Sequence, residues 1–391
     1  MEPTRAESLD RLRRRTSSKW RAFGDDKLPM FVAEMDYPLA PVIKVALHEA
    51  VELGDTGYVD PRSGGRAAAR ALADFARDRW DWGPDPEGMK TTTDVSVVVV
   101  ESLRRLIDPG DGVIITPPVY PPFFQFVPEA GGTVVEVPLV DDGEEWSLDF
   151  TGIDAAFAAG ARGILLCNPH NPLGLVHSRE QLEQLSAIVE KHGGFVVSDE
   201  IHGPLVHTDA AFTPYLDVSD AAREHGIAAH SASKAFNLAG LKCGLFVTAG
   251  ERMRALLRSL PEEVVYRTGL FGAIATRVGL SEGRDWLDGT IAAIESNRRL
   301  LSQLLAEKLP LARYREPRAS YLAWLDLNEY GWGEDPARVL RRQAGVVLSN
   351  GPHFGTQGRG FARMNIACAP ELLVEAVDRL ADAAAASAVA G

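Results

Sequence analysis

The chain has 391 residues and a formal net charge of −13, with 46% hydrophobic and 24% charged residues. This composition is typical of a soluble globular protein, and the length predicts at least two domains because single cores rarely grow beyond about 250–300 residues. The negative charge excludes a general attraction to nucleic acid or to an anionic membrane.

The cysteines and the N-terminal segment indicate in which cellular compartment the protein is expected. The three cysteines, Cys167, Cys243 and Cys368, are odd in number and far apart. They predict neither a disulfide framework nor a Cys-x-x-Cys site, and we expect no metal. The polar N-terminal segment lacks the apolar core of a signal peptide, and no apolar run approaches the ~20 residues that span a bilayer. We therefore expect a cytoplasmic protein with no membrane partner.

Short apolar runs alternate with amphipathic segments through the first three quarters of the chain. Most of these runs are continuous, which is typical of strands buried on both faces of a sheet. Residues 178–194 predict a helix between two of them, with a serine cap, a 3.6-residue apolar rhythm and a Gly-Gly stop. This order predicts an α/β fold with a mostly parallel sheet between helices. The predicted strands are 112–117, 133–139, 163–169, 194–201, 228–233 and 244–250.

The pattern changes near Glu282. Residues 285–309 predict one long helix, and a closing helix follows residue 370. Between them, three runs predict a second, smaller sheet. We place a large domain at 46–285, a small domain at 286–391, and an N-terminal arm at 1–45 that returns to the small domain. The three strands of the small domain are 321–327, 346–351 and 362–369.

Asp199 ends the apolar run 194–201. Ligands of open parallel sheets bind at the carboxyl ends of the strands, and a buried carboxylate there needs a cationic partner. A protonated pyridine nitrogen is one such partner. Ile201, two residues further, shares the same strand face in this interpretation and would lie under the ring. A capping role for Asp199 explains the residue equally well.

Three more side chains follow predicted strands. Lys234 comes after Ser231 and Ser233, and a lysine amine kept uncharged among small and apolar residues is a nucleophile. Asn171, in CNPHNPLG, can hydrogen-bond a phenolic oxygen, and Tyr120, in PPVYPPFF, can stack on an aromatic ring. A surface lysine, a turn asparagine and a packed tyrosine are the structural alternatives.

A phosphate site needs backbone N–H donors at a helix N-terminus. The segment TTTDVSVVVVESLRRLI offers them at Val95, Ser96 and Val97 if a helix begins there. The same run also fits a buried strand, and periodicity alone does not decide. The sequence contains no Gly-x-Gly-x-x-Gly and no P-loop, so neither dinucleotide nor P-loop binding is supported. It also lacks His-Glu-x-x-His, Cys-x-x-Cys and Gly-x-Ser-x-Gly.

Asn171, Asp199 and Lys234 stand 28 and 35 residues apart. This arrangement resembles the fold-type I pyridoxal-phosphate (PLP) enzymes, the aspartate aminotransferase superfamily. Within it the chain is similar to the cystathionine β-lyase branch of the MalY/PatB type, particularly the actinobacterial C–S lyases. The likeness runs through nearly the whole chain, in RRTSSKW (14–20), LPMFVAEMDYPLAP (28–41), TGYVDP (56–61), PPVYPPF, CNPHNPLG (167–174), SDEIHGPLV (198–206), SASKAFNLAGLKCG (231–244), SYLAWLDL (320–327) and ARMNIAC (362–368).

The resemblance implies the PLP-dependent transferase fold of type I. This is an α/β fold in which a large domain has a mostly parallel seven-stranded sheet, beside a smaller α+β domain. It implies PLP as the cofactor and a homodimer with shared active sites, in which Tyr58 reaches the phosphate of the neighbouring subunit. No nucleic-acid partner is expected.

Individual roles are also implied by the resemblance. Lys234 matches the lysine that carries the cofactor as a Schiff base, and Asp199 matches the acid on the pyridine nitrogen. Arg363 matches the arginine that binds the substrate α-carboxylate, a task suited to a planar guanidinium. The remaining cofactor positions are Asn171 at the ring oxygen, Tyr120 on the ring, Ile201, His202, and Val95, Ser96, Val97, Ser231 and Lys242 around the phosphate; Tyr120 and Asn171 also contact substrate.

Three positions depart from the broader superfamily. Lys242 stands where a phosphate-binding arginine is common, and His202 where a tyrosine often follows the aspartate by three residues. Both recur in the lyase branch. Asp94 stands where a glycine often opens the phosphate helix. An acid beside a phosphate is electrostatically unfavourable, so we expect Asp94 to point away and to cap the helix.

The expected reaction is β-elimination from cystathionine or another S-substituted cysteine, giving a thiol, pyruvate and ammonia, with Lys234 as the base that takes the Cα proton. One alternative is an aminotransferase, which uses the same lysine and returns the proton to the cofactor. A second is a regulatory protein that keeps the PLP site and acts through a protein partner. No helix-turn-helix extension is present, so direct control of DNA is not expected.

Overall fold

The computed structural model describes residues 2–390, with the backbone alone at 388–390. Internal contacts divide the chain into two units. The small unit comprises the chain up to Pro38, Asn171–Gly174 and the chain from Asp288 onward. The large unit comprises Leu39–His170 and Leu175–Leu287. The sequence prediction placed the corresponding boundaries at 45 and 285.

The strands of the two units are mostly short. In chain order they are β1 (Leu28–Pro29), β2 (Met89–Thr92), β3 (Gly112–Ile115), β4 (Thr133–Glu136), β5 (Val140–Asp141), β6 (Trp146–Ser147), β7 (Gly163–Cys167), β8 (Phe195–Asp199), β9 (Gly226–His230), β10 (Gly244–Val247), β11 (Arg313–Tyr314), β12 (Leu322–Asp326), β13 (Val346–Val347), β14 (Ser349–Asn350) and β15 (Phe361–Asn365).

The helices range from a single turn to seven turns. In chain order they are α1 (Leu9–Leu12), α2 (Ser18–Arg21), α3 (Pro41–Glu52), α4 (Arg66–Trp80), α5 (Val95–Leu106), α6 (Phe123–Glu129), α7 (Phe150–Ala158), α8 (Arg179–Lys191), α9 (Asp220–His225), α10 (Glu251–Arg258), α11 (Glu262–Tyr266), α12 (Leu270–Glu282), α13 (Arg284–Lys308), α14 (Pro336–Gln343) and α15 (Pro370–Ala390).

A seven-stranded sheet forms the centre of the large unit, in the order β2-β10-β9-β8-β7-β3-β4. Each neighbouring pair from β4 to β9 is parallel, and β10 is antiparallel to both of its neighbours. The strands β7, β8, β9 and β10 are buried along their whole length, which explains their continuous apolar sequences. The predicted α/β fold with a mostly parallel sheet is confirmed.

The ambiguous run 95–100 is helical and begins α5. Asp94 caps this helix, since its side chain accepts a hydrogen bond from the Val97 N–H. Valines are poor helix formers, but Val98 and Val99 are fully buried in the core of the large unit. Burial and the cap therefore outweigh the β-propensity of this segment.

The small unit contains an antiparallel sheet in the order β11-β12-β15-β14 and a parallel pair of β1 with β13. The predicted strand at 346–351 is thus two short strands that belong to different sheets. In β15, Arg363 pairs with Trp324 of β12 and with Ser349 of β14. This places the arginine in the middle of the sheet.

A buried ion pair joins two parts of the N-terminal segment within the small unit. Lys19 Nζ lies 2.8 Å from Asp36 Oδ1, and the two side chains are 1% and 0% exposed. Burial raises the pKa of Asp36, and the charge of Lys19 opposes that rise. Lys19 Nζ also donates to the Glu34 carbonyl at 3.2 Å. The pair therefore fixes the backbone that leads into Asp36.

Within residues 2–390 every helix is too short or too polar to span a bilayer. The same residues contain no group of three or more His, Cys, Asp or Glu side chains placed to hold a metal ion. Cys167, Cys243 and Cys368 are buried and form no disulfide.

Candidate active site

Asp199 is the last residue of β8 and is 4% exposed. Burial raises the pKa of its carboxyl to about 7. The Ile201 N–H, which donates to Asp199 Oδ1 at 3.2 Å, and the positive charges of His230 and Lys234 act in the opposite direction. A buried carboxylate in this state favours a cationic hydrogen-bond donor, and a pyridinium N–H has this chemistry. The residues present therefore fit the ring nitrogen of PLP.

The strand-face argument for Ile201 was wrong. The strand β8 ends at Asp199, and the chain turns at once, with the Ile201 N–H closing the turn onto the Asp199 side chain. Ile201 is half-buried and packs against the apolar core of the large unit. A role for Ile201 under a cofactor ring stays a prediction. The alternation of side chains along a strand does not support it, because the strand ends before Ile201.

Sequence reasoning missed a buried polar group beside Asp199. Glu200 is fully buried, and its Oε1 accepts hydrogen bonds from the Ser198 hydroxyl at 2.9 Å and the Tyr215 N–H at 2.8 Å. Its Oε2 lies 3.0 Å from His230 Nε2. The sequence contains one signal for Glu200, which is the second acid in SDEIH. Its partner His230 lies in another strand, so sequence spacing did not connect the two residues.

The loop after β9 carries Lys234. Ser231 opens the loop, donating its hydroxyl to the Cys243 carbonyl at 2.7 Å and accepting from the Ser233 N–H at 3.1 Å. Lys234 lies half-buried in the turn that follows. Its charge acts on the Asp199 carboxyl. Because β8 and β9 are parallel neighbours, both residues leave the sheet at the same edge.

Other loops leave the same edge. Tyr120 follows β3 and is half-buried, with its ring packed edge-on to Phe123 at a centroid distance of 6.0 Å. The Asn168 N–H, after β7, donates to the Asp199 carbonyl at 2.9 Å. His202, 4% exposed, follows Asp199 by three residues. Side chains from the ends of three parallel strands, β3, β8 and β9, are therefore gathered at this edge.

The N-terminus of α5 holds the residues expected at the phosphate. The first turn of a helix leaves its N–H groups without intrahelical acceptors, and here these belong to Val95, Ser96 and Val97. Asp94 accepts from the Val97 N–H at 3.2 Å and from the Ser96 hydroxyl. Its other oxygen, Oδ2, lies 3.2 Å from Lys242 Nζ. The expected cap is confirmed, but Asp94 does not point away, because it holds Lys242.

Arg363 and Asn171 meet within the small unit. Arg363 Nη1 donates to Asn171 Oδ1 at 2.9 Å, and Nη2 donates to the Phe31 carbonyl at 3.1 Å and the Ser349 hydroxyl at 3.2 Å. The guanidinium also lies 4.9 Å from the centre of the Phe354 ring. These neighbours orient the guanidinium.

Tyr58 differs from the other predicted residues. It lies between α3 and α4 in the large unit and is 89% exposed in the single chain. Among the residues that the structure describes, no contact assigns Tyr58 a role.

Comparison with known proteins agrees with this geometry. The sequence model of the family described as aminotransferase class I and II matches residues 25–380. A Mycobacterium leprae protein, whose name assigns it provisionally to the cystathionine β-lyases, is 41% identical over 395 residues, covering 95% of this chain and 96% of its own. The cystathionine β-lyase PatB of Bacillus subtilis is 31% identical over 372 residues, covering 93% and 95%.

A solved structure matches nearly the whole fold. Cystalysin from Treponema denticola, which contains pyridoxal 5′-phosphate, superposes with a TM-score of 0.90 at 25% identity, covering 97% of this chain and 98% of its own. Both the family model and the relatives span far more than half of the sequence. The chain therefore belongs to the aminotransferase class I and II family.

Proposed function

We propose that the protein is a PLP-dependent carbon–sulfur β-lyase acting on cystathionine or another S-substituted cysteine, with thiol, pyruvate and ammonia as products. The observation that carries the proposal is the buried Asp199, whose pKa is raised to about 7 beside the charge of Lys234. Relatives named cystathionine β-lyase support the reaction class. Bound PLP supplies an electron sink for negative charge that develops at the substrate Cα.

Asp199 has the task of keeping the ring nitrogen protonated. Burial removes the water that would solvate an ionised carboxylate, and a protonated ring nitrogen would supply the cation that stabilises it. The N–H of Ile201 and the charge of His230 favour the ionised carboxylate once that proton is on the nitrogen. Asp199 therefore stabilises the protonated ring.

Lys234 has two tasks in this proposal. Its amine attaches the cofactor, and after the substrate amine replaces it, the same Nζ takes the Cα proton as the general base. The turn that follows Ser231 fixes the lysine beside Asp199, and hydrogen bonds from Phe236 N–H to the Ala232 carbonyl and from Leu238 N–H to the Ser233 carbonyl close this turn. A base held in place loses little entropy when it acts.

Arg363 is proposed to bind the substrate α-carboxylate, and Asn171 to orient it. The guanidinium already has Nη1 and Nη2 directed by neutral acceptors, so its plane is fixed before substrate arrives. A substrate carboxylate would accept charge-assisted hydrogen bonds from this guanidinium, whose planar fork suits two oxygens.

We also propose that the enzyme is a homodimer in which Tyr58 contacts the phosphate bound by the partner chain. An 89% exposed tyrosine, with Val45, Val51 and Leu53 also exposed on and after α3, supports this. Light scattering at micromolar concentration should give twice the chain mass. Tyr58→Phe should release the cofactor faster on dialysis of the holoenzyme. A monomer, or an unchanged release rate, would refute the proposal for Tyr58.

A turnover assay tests the reaction class. Cystathionine is supplied to the holoenzyme with and without a 2-oxo acid acceptor, and pyruvate, ammonia and thiol are measured. The proposal expects pyruvate and thiol without acceptor. A product that forms only with acceptor would instead show an aminotransferase, and cofactor binding without either product would favour a regulatory protein.

A further inference from the structure

Asp94 occupies the donors predicted to bind the cofactor phosphate. Its Oδ1 accepts from the Ser96 hydroxyl and the Val97 N–H, and its Oδ2 lies 3.2 Å from Lys242 Nζ. Burial alone would raise the pKa of Asp94, but the hydrogen bonds from Ser96 and Val97 and the ion pair with Lys242 hold it below the usual value. Asp94 is therefore an anion that contacts the groups predicted to bind the phosphate.

The backbone keeps Lys242 within reach of Asp94. Lys242 adopts a left-handed conformation, with φ of 67°, just before β10 begins. At Gly244 an added Cβ would lie 2.5 Å from the Asp94 carbonyl carbon, so only glycine allows the strand to approach this closely. The contact between Asp94 and Lys242 is thus built into the packing of β10 against α5.

A carboxylate and a phosphate compete for the same donors. Ser96 and Lys242 can bind an incoming phosphate in only two ways. They either release Asp94, or they hold its carboxylate and the phosphate at the same time. Two anions bound by the same donors would repel each other, and the repulsion would oppose the gain from the helix N-terminus. A glycine at position 94 would have no carboxylate to compete with the phosphate.

We propose that Asp94 is an intramolecular competitor of the cofactor phosphate, a residue that weakens PLP affinity while it stabilises α5 in the cofactor-free protein. The inference rests on the proposed function, because it takes PLP as the ligand. It concerns affinity for the cofactor and the order of the helix rather than the chemistry of elimination.

Asp94→Asn separates charge from capping, because asparagine keeps an oxygen that caps a helix and carries no charge. We expect the dissociation constant of PLP, measured by absorbance titration of the full chain after dialysis of the holoenzyme, to fall roughly three- to tenfold. The difference from the wild type should shrink as salt is raised, since the repulsion is screened. Inorganic phosphate alone should raise the melting temperature of cofactor-free Asp94→Asn more than that of cofactor-free wild type.

Asp149→Asn is the matched control. Asp149 caps α7 in the same way, accepting from the Gly152 N–H at 2.8 Å, and its substitution removes the same charge from the large unit. It should leave PLP affinity unchanged. Asp94→Ser, which also keeps a cap, repeats the test if the asparagine variant does not fold.

An unchanged or larger dissociation constant in both Asp94 variants would overturn the inference, as would an equal gain in Asp149→Asn. Failure of the wild type to bind PLP at all would overturn the proposed function itself, and the inference with it. The two failures are therefore distinguished by the wild-type titration.

Discussion

Arg363 and Asn171, separated by 192 positions in the sequence, are joined by a hydrogen bond of 2.9 Å from Nη1 to Oδ1. The bond makes the two predicted substrate contacts one structural unit. A change at either residue should therefore alter the orientation of the other. It also means that Asn171 has a partner before any ligand binds.

Replacing Arg363 tests its role in binding the substrate carboxylate. A charge-assisted contact of this kind contributes roughly 1.5–3 kcal/mol, so Arg363→Ala should lower kcat/KM for cystathionine by about one to two orders of magnitude. Arg363→Lys should recover only part of the loss, because an ammonium lacks the planar fork. Steady-state kinetics with the cofactor absorbance as a second readout measures both.

The control for Arg363 is Arg298→Lys. Arg298 is another buried arginine of the small unit, and it pairs with Glu316 and donates to the Pro317 carbonyl. Its substitution should lower stability and leave kcat/KM nearly unchanged in the folded protein. If Arg363→Ala keeps near-normal kcat/KM, or its holoenzyme loses its cofactor absorbance, the carboxylate assignment is wrong.

Lys234→Ala should abolish elimination and leave PLP bound without a covalent link. Borohydride reduction of the wild-type holoenzyme, followed by peptide mapping, should place the modified lysine in the segment 231–244. Lys242→Gln is the matched control within that segment, since it removes a proposed phosphate contact and leaves Lys234 in place. Finding the label on Lys242, or covalent label in the Lys234→Ala protein, would contradict the assignment.

The stability of the cofactor-free protein should depend on Asp199 between pH 4 and pH 7. Burial raises its pKa to about 7 in the folded chain, above the ordinary value of 3.8. In this range the unfolded chain carries an ionised Asp199 and the folded chain a protonated one, so unfolding releases a proton. The contribution of Asp199 to stability is therefore full below pH 4 and is lost as the pH rises through 7.

The measurement compares melting temperatures of cofactor-free wild type and Asp199→Asn from pH 4 to pH 8. The difference should favour the variant increasingly as the pH rises, by up to about 4 kcal/mol at the upper end. Contributions of ionisable groups that do not interact with Asp199 cancel in this comparison, because both proteins share them. A difference that is constant with pH would show that Asp199 is ionised throughout.

The buried pair of Lys19 and Asp36 should be sensitive to loss of one partner. Lys19→Met leaves a buried carboxylate without its cation and should destabilise the protein by about 3–5 kcal/mol. The double variant Lys19→Met/Asp36→Leu should regain most of this, because no charge remains buried. Urea denaturation of both holoenzymes measures the difference. Equal destabilisation by the single and double changes would mean that packing, not charge, sets the cost.

Much of the fold could be predicted because it depends on local pattern. The helix predicted at 178–194 is α8, and its Ser178 cap forms a reciprocal pair with Gln181. The family resemblance and the fold class are confirmed by the family match and the solved structure. The strand β2 was missed because its sequence, MKTT, has neither an apolar run nor strict alternation. The antiparallel direction of β10 was missed because pattern carries no information on strand direction.

The contacts around the candidate site could not be predicted from the residues alone. Asp94 with Lys242, Glu200 with His230 and Asn171 with Arg363 are pairs that form only when distant segments pack together. The sequence did indicate which residues follow each strand. Because parallel strands end at one edge of the sheet, these residues could be expected to lie near one another. It did not indicate that Asp94 would pair with Lys242, which was predicted to bind the phosphate.

The pairing of β1 with β13 gives the chain an unusual order of assembly during synthesis. Residues near Leu28 leave the ribosome first, yet their partners near Val346 are made roughly 300 residues later. At about 5–20 residues per second, the N-terminal segment waits about 15–60 s before it can join its sheet. The pair of β1 with β13 therefore forms only after Val347 has been made, and a truncation before β13 should leave β1 without its partner strand.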